Sequence, residues 1–406
     1  MEMVRRAAFL LACLLAAAPG AQAAERWVGS WATSQQIPEE RNALESRDLN
    51  DATLRQTVRL SIGGERFRVR LSNAFGIAPL KITAAHVARP IAPGSDAIDP
   101  TSDRPLTFSG APDIVIPAGA EYVSDPVAFA VLPGSDLAIT LHFDKAPAQQ
   151  TSHPGSRTTS YLLHGNQVSA PALPGAKTFD HWFNIAAVEI PSATAGAVTV
   201  IGDSITDGRG STTNGNDRWT DALARRLIDA RKPVGVLNHG IGGGQVRGEG
   251  LGPNAVARFD RDVLAQPGVR WLVLFEGIND IGAFDPEGSK SQAEHDTLMR
   301  QLTTAYAQMA DKARAAGIKV YGATITPFLD CAPYKPKPIT EADRIAVNNW
   351  IRTSKTFDAV LDFDAAVRDP ARPGHLAPAF DTGDGLHLSP AGLRALADAV
   401  PLSLFQ

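Results

Sequence analysis

At 406 residues the chain exceeds what one hydrophobic core normally organises, so two structural units are expected. With 44% hydrophobic and 20% charged residues it has the make-up of a globular protein and is excluded from the disordered class. A formal net charge of -4 gives no basic surface for a polyanion, so no nucleic-acid partner is expected.

The first residues read as a processing signal. Arg5-Arg6 precede an apolar run from Ala7 to Ala18, and Ala21-Gln22-Ala23 supplies a small-residue cleavage site. Residues 1–23 are therefore expected to be a cleaved signal peptide and the mature protein to be secreted or periplasmic. No later stretch is apolar for long enough to span a bilayer, so no stable membrane insertion is expected after signal removal. With Cys13 leaving in the signal, Cys331 is a lone thiol near Pro333, Pro336 and Pro338, and an exported chain without an internal disulfide must be held by its core.

Between residues 52 and 143 the apolar pattern has period two. Val58, Leu60 and Ile62, then Gly63-Gly64, then Phe67, Val69 and Leu71 predict a hairpin. Further short strands are expected at 82–87, 127–132 and 137–143, separated by turns rich in Pro, Gly and Asp, with no long amphipathic helix among them. Residues 24–190 are thus expected to form an all-β unit, an antiparallel sandwich. Trp27 and Trp31 either pack against the second unit or stack on a sugar; His153 and Arg157 either reach the cleft from the sandwich or lie in a solvated loop, and the solvated loop is the preferred reading.

Residues 191–196, Pro191-Ser192-Ala193-Thr194-Ala195-Gly196, form a small-residue linker, and from 197 to 406 the pattern becomes buried strands alternating with helices. Strands are expected at 198–201, 234–238, 271–276, 318–325 and 360–363. The clearest helix spans 291–316, with Leu298, Leu302, Met309 and Ala313 on one face and Gly317 as its stop. This is an α/β unit, a parallel sheet with helices on both faces.

Open parallel sheets hold ligands beyond the carboxyl ends of their strands. Ser204 in Gly202-Asp203-Ser204-Ile205 follows the first strand, and Gly243 in Asn238-His239-Gly240-Ile241-Gly242-Gly243 follows the second. Asn279 in Gly277-Ile278-Asn279-Asp280 follows the third, and Asp384-Gly385-Leu386-His387 follows the last. A serine hydroxyl needs a base within hydrogen-bond reach and a group that orients that base; His387 and Asp384 fit these roles. The oxyanion formed on attack needs donors, available from the Ser204 and Gly243 amides and the Asn279 side chain. Asp203, Glu276 and Asp280 are expected to support the site from behind, and His239 to have a structural or rim role.

A lone Gly-Asp-Ser is ordinarily a turn, and an Asp-x-x-His pair alone could be a helix cap or part of a metal site. No dense His/Asp/Glu cluster supplies further ligands, so no metal is expected. The polar stretch 207–217 lacks both the EF-hand glutamate and the phosphate-binding Gly-Lys-Ser/Thr, and is read as a loop on the cleft rim. Trp219, Leu223 and Leu227 recur at helical spacing and are read as core.

The four blocks, in this order and spacing, resemble those of the SGNH or GDSL hydrolases, with Ile205 where the family name has leucine. The resemblance implies a three-layer α/β/α domain and ester hydrolysis through an acyl-serine intermediate, without metal or organic cofactor. Upstream, Trp27-Val28-Gly29-Ser30-Trp31-Ala32 and His153-Pro154-Gly155-Ser156-Arg157 resemble exported members related to carbohydrate acetylesterases and arylesterases. One departure is Gly244-Gln245, where many relatives carry an asparagine-arginine pair. The expectation is an exported serine esterase acting on short-chain, acetyl-type esters of a carbohydrate or other polar alcohol, with a small-molecule or glycan ester as its partner. A general carboxylesterase, arylesterase or lipase-like acylhydrolase, acyl transfer to a sugar, and a glycan-binding protein with a vestigial hydrolase domain are the alternatives.

Overall fold

The computed structural model describes residues 25–406; the expected signal peptide and its cleavage site lie outside the described residues. The N-terminal part consists mainly of two antiparallel sheets. In one, Trp27–Ala32, Ile185–Pro191, Gly64–Ser72 and Glu121–Val123 lie side by side, and Val127–Val131 also pairs with Gly64–Ser72. In the other the order is Lys177–Phe179, Ser160–His164, Ala52–Arg59, Asp136–Phe143, Ala84–Ala88 and Arg104–Pro105. Phe67, Val69 and Val188 of the first sheet share one core with Leu54, Val58 and Ile139 of the second, as in a sandwich.

The hairpin expected around Gly63-Gly64 does not form. Ala52–Arg59 pairs with Asp136–Phe143 and Ser160–His164, whereas Gly64–Ser72 pairs within the opposite sheet. Hydrogen bonds hold the connection to both sheets: the Leu60 amide donates to the Ser135 carbonyl at 2.9 Å, and the Ile62 amide to Ser30 Oγ at 3.1 Å. Period-two apolar residues look the same in a hairpin and in a segment that changes sheets. The strand expected at 82–87 likewise divides. Leu80–Ile82 pairs with Ile114–Ile116, and Ala84–Ala88 pairs with Asp136–Phe143.

The C-terminal part is built on five parallel strands in the order Val234–Gly240, Gly196–Gly202, Val269–Phe275, Lys319–Ala323 and Ala359–Leu361. Gly196–Gly202 is buried along its whole length, which explains its continuous apolar run. Numbered along the chain, the order is 2-1-3-4-5, so consecutive connections diverge around the end of the first strand, where such sheets hold ligands. Helices Trp219–Asp229 and Pro390–Asp398 pack together, as do Gln292–Ala315 and Pro338–Thr353. The long helix starts at a Ser291/Glu294 capping box and buries Leu298, Leu302, Met309 and Ala313.

The strand Ile185–Pro191 leads almost directly into Gly196–Gly202. Across this junction the N-terminal sheet covers the outer edge of the parallel one: the Val236 amide donates to Ser61 Oγ at 2.9 Å, and Thr33 bridges to Asn238. Trp31 is buried edge-on against Trp182 at 5.0 Å, and the Arg68 guanidinium sits 4.2 Å over Trp27. Both tryptophans are engaged in packing.

Candidate active site

Asp203 leaves the first parallel strand in extended conformation, and its Oδ1 accepts the Ile205 amide at 2.9 Å, capping the short helix Ser204–Asp207. This places Ser204 on the first helical turn beyond the sheet. Ser204 Oγ lies 2.9 Å from His387 Nε2, and His387 Nδ1 lies 2.6 Å from Asp384 Oδ2. Asp384 also shapes its own loop, its Oδ1 accepting the amides of Leu386 at 3.0 Å and His387 at 2.8 Å. One carboxylate oxygen thus folds the turn and the other orients the imidazole.

The electrostatics suit a base. Burial lowers the His387 pKa below its ordinary 6.5; Asp384 pulls it up, and the positive charges of Arg209 and Arg157 reinforce the lowering. The ring is therefore neutral near neutral pH and able to take a proton. Burial opposes ionisation of Asp384, but its hydrogen bonds from His387 outweigh this and hold the carboxyl at about 2.

Two further motifs place donors nearby. Ile241 to Gly244 form a tight turn closed by the Gly244 amide on the Ile241 carbonyl at 2.9 Å, with Gly243 at φ +67°, a conformation that favours glycine. Gly277, at φ +116°, precedes the helix Ile278–Gly282; a Cβ there would stand 2.3 Å from the Tyr306 hydroxyl, so the turn that presents Asn279 requires glycine. Asn279 Nδ2 donates to the Gly244 carbonyl at 2.7 Å, and its Oδ1 accepts from the Tyr334 hydroxyl at 2.6 Å. The amide is fixed at both ends, with one N–H still free to donate.

Ser204, Gly243, Asn279 and His387 line one cavity of about 420 Å³. Gln36, His153 and Arg157 form part of its wall, so for His153 and Arg157 the preferred solvated loop gives way to the alternative that they reach the cleft. His153 is buried, with Nδ1 2.9 Å from the Ser34 carbonyl and Nε2 2.9 Å from Asp207 Oδ1. The loop is drawn onto the catalytic unit because Arg218 donates to the Ser156 carbonyl and the Asn214 amide to the Arg157 carbonyl.

Behind the site lies a buried charge network centred on Arg258, a residue with no place in the sequence motifs. Its Nη2 donates to the Gly202 carbonyl at 3.1 Å and to Glu276 Oε2 at 3.2 Å; its Nη1 donates to Ser34 Oγ at 2.9 Å and Asp262 Oδ2 at 3.1 Å. The i,i+4 spacing of Arg258 and Asp262 was the available sequence signal. Asp280 holds the segment after the glycine turn, accepting the amides of Val246 at 2.7 Å and Arg247 at 3.3 Å. Burial pushes the Asp203 carboxyl up to about 7, and burial with the neighbouring Asp203 charge raises Glu276 as well. His239 is fully buried, its pKa lowered to about 4 by burial, which gives it a neutral structural place beside Ser34.

Tyr334 also escaped the sequence reading, because it sits in a Pro-rich loop without periodicity. Cys331 in the same loop is buried, and burial raises its thiol pKa, which removes thiolate reactivity. Among the described residues no group of three or more His, Cys, Asp or Glu side chains is arranged to hold a metal ion. Nor is any described helix long and apolar enough to cross a membrane.

Fold and site together define a serine ester hydrolase. Residues 200–395 match the model of the GDSL-like lipase/acylhydrolase family. Among solved structures, a lipolytic protein of the G-D-S-L family from Desulfitobacterium hafniense is similar at 20% identity and a TM-score of 0.37, covering 50% of this chain and 96% of that one. An acetyl xylan esterase from Geobacillus stearothermophilus is similar at 23% identity and a TM-score of 0.37, covering 51% and 93%. No curated protein matches the chain.

Proposed function

We propose that the protein is an exported esterase that removes short acyl groups, acetyl foremost, from a carbohydrate or another polar alcohol through an acyl-serine intermediate. The observation that carries the reading is the relay from Ser204 to His387 to Asp384, at 2.9 and 2.6 Å, opening into the cavity that Gly243 and Asn279 also line. In this reading Ser204 Oγ adds to the ester carbonyl as its proton passes to His387 Nε2, and Asp384 stabilises the imidazolium. The amides of Ser204 and Gly243 and the Asn279 side chain meet the oxyanion. His387 returns the proton to the departing alcohol, then activates the water that releases the acid and restores the serine. The relay supplies both nucleophile and base, so the chemistry calls for no cofactor.

A polar alcohol is supported by the cavity wall, where Gln36, Glu39, Asn42, Arg157 and Arg209 stand beside the apolar side chains of Pro154, Leu251, Pro333 and Leu386. A volume of about 420 Å³ suits a substrate of sugar size. Export is supported by the Arg5-Arg6, apolar run and Ala21-Gln22-Ala23 pattern. Hydrolysis of p-nitrophenyl acetate tests the reading: the protein should turn it over, and Ser204→Ala, with an unchanged circular dichroism spectrum, should lose at least roughly a thousand-fold in kcat. Equal turnover by the variant would overturn the proposal.

A further inference from the structure

We infer that the alcohol half of the substrate carries a carboxylate, as in an acylated acidic sugar, seated on Arg157 and Arg209 beside Ser204. The inference rests on the esterase reading and deepens it. Arg209 immediately follows the catalytic turn, its amide donating to the Ser204 carbonyl at 2.8 Å, and its side chain lines the cavity. Arg157 reaches the same cavity from the N-terminal unit. Its backbone has φ +51°, a left-handed conformation that is unfavourable for a residue with a side chain and that recurs where function requires it.

Among the described residues neither guanidinium is hydrogen-bonded to a protein acceptor, and Arg157 Nε is buried without a partner. The carboxylate nearest Arg157 is Asp207, with Oδ2 4.0 Å from Nη2, and that carboxylate is already 2.9 Å from His153 Nε2. Elsewhere on the wall, Glu39 accepts from Asn42 at 2.7 Å and pairs with Arg41 at 3.8 Å, so it does not answer either arginine. Both charges are felt at His387, beside the reacting ester.

Two guanidiniums that line one cavity, neither hydrogen-bonded to the protein and only one near a carboxylate, at 4.0 Å, match the planar, two-oxygen geometry of a carboxylate. An acetyl group is too small to bear such a charge, which places the carboxylate on the alcohol. In a uronic acid the carboxylate is fixed to the same ring as the acylated hydroxyl, which keeps it near the ester.

The test compares kcat/KM for one monoacetyl position on methyl glucuronoside and on methyl glucoside, with the unmodified protein and with an Arg157→Gln/Arg209→Gln double variant. The ratio between the two sugars is independent of how much enzyme is folded. The unmodified protein should prefer the glucuronoside by about ten-fold or more, as expected for a charge-assisted contact, and the double variant should show almost no preference. Equal rates on the two sugars in the unmodified protein, or a preference that survives in the variant, would overturn the inference. Hydrolysis of p-nitrophenyl acetate with neither sugar ester cleaved would overturn it while leaving the esterase reading standing. If p-nitrophenyl acetate is not cleaved either, both fall.

Discussion

In the proposed mechanism Asn279 meets the oxyanion only while its amide points the right way, and Tyr334 fixes that amide by donating to Oδ1 at 2.6 Å. Tyr334→Phe keeps the ring in place and removes only the hydroxyl. One hydrogen bond is typically worth about 0.5–1.5 kcal/mol, so kcat on p-nitrophenyl acetate should fall roughly three- to ten-fold with KM nearly constant. A kcat equal to the parent's would remove Tyr334 from this role. The difference between the two residues also explains what was legible. Asn279, Gly243, Ser204, Asp384 and His387 drew attention because the chemistry of acyl transfer demands those residue types at strand ends. Tyr334 has a partner 55 residues away and no local pattern, so only the folded chain brings it to notice.

At the scale of single elements, the short helix Ser204–Asp207 begins at an acid that the fold does not favour as an anion. Burial raises Asp203 from 3.8 to about 7, so between those values the native state holds a proton that the unfolded chain has released. Stability associated with this group is complete below the unfolded pKa and is lost as pH rises through about 7. Asp203→Asn retains an oxygen to cap the Ile205 amide and cannot ionise. Its Tm relative to the parent should therefore increase from pH 5 to pH 8, as thermal denaturation by circular dichroism can measure. A Tm difference that does not change with pH would contradict the assignment. The parallel strands around this helix were readable to within a few residues because buried strands are continuous apolar runs. The expected hairpin failed because alternation specifies which side chains face inward and leaves the choice of partner strand open; hydrogen bonds from the Ile62 and Leu60 amides to Ser30 and Ser135 go with the choice made.

For the molecule as a whole, the change of period near residue 191 marks a change of architecture, yet the site draws on both sides of it. Ser34 joins the Arg258 network under the strand that leads to Ser204, and His153 and Arg157 form part of the cavity wall. A polar pattern cannot reveal this, since Ser34 and His153 look like loop residues until the N-terminal sheet is laid along the strand Val234–Gly240. The cavity at Ser204 is therefore built by both parts of the chain. Treating the protein with a p-nitrophenyl alkylphosphonate, which stays bound to an attacking hydroxyl, and mapping the adduct by peptide mass spectrometry tests Ser204 as nucleophile most directly. The expected result is release of one p-nitrophenolate per chain, the phosphonyl group on Ser204, and esterase activity lost in step. An adduct on any other residue with that loss, or full activity with Ser204 modified, would contradict it.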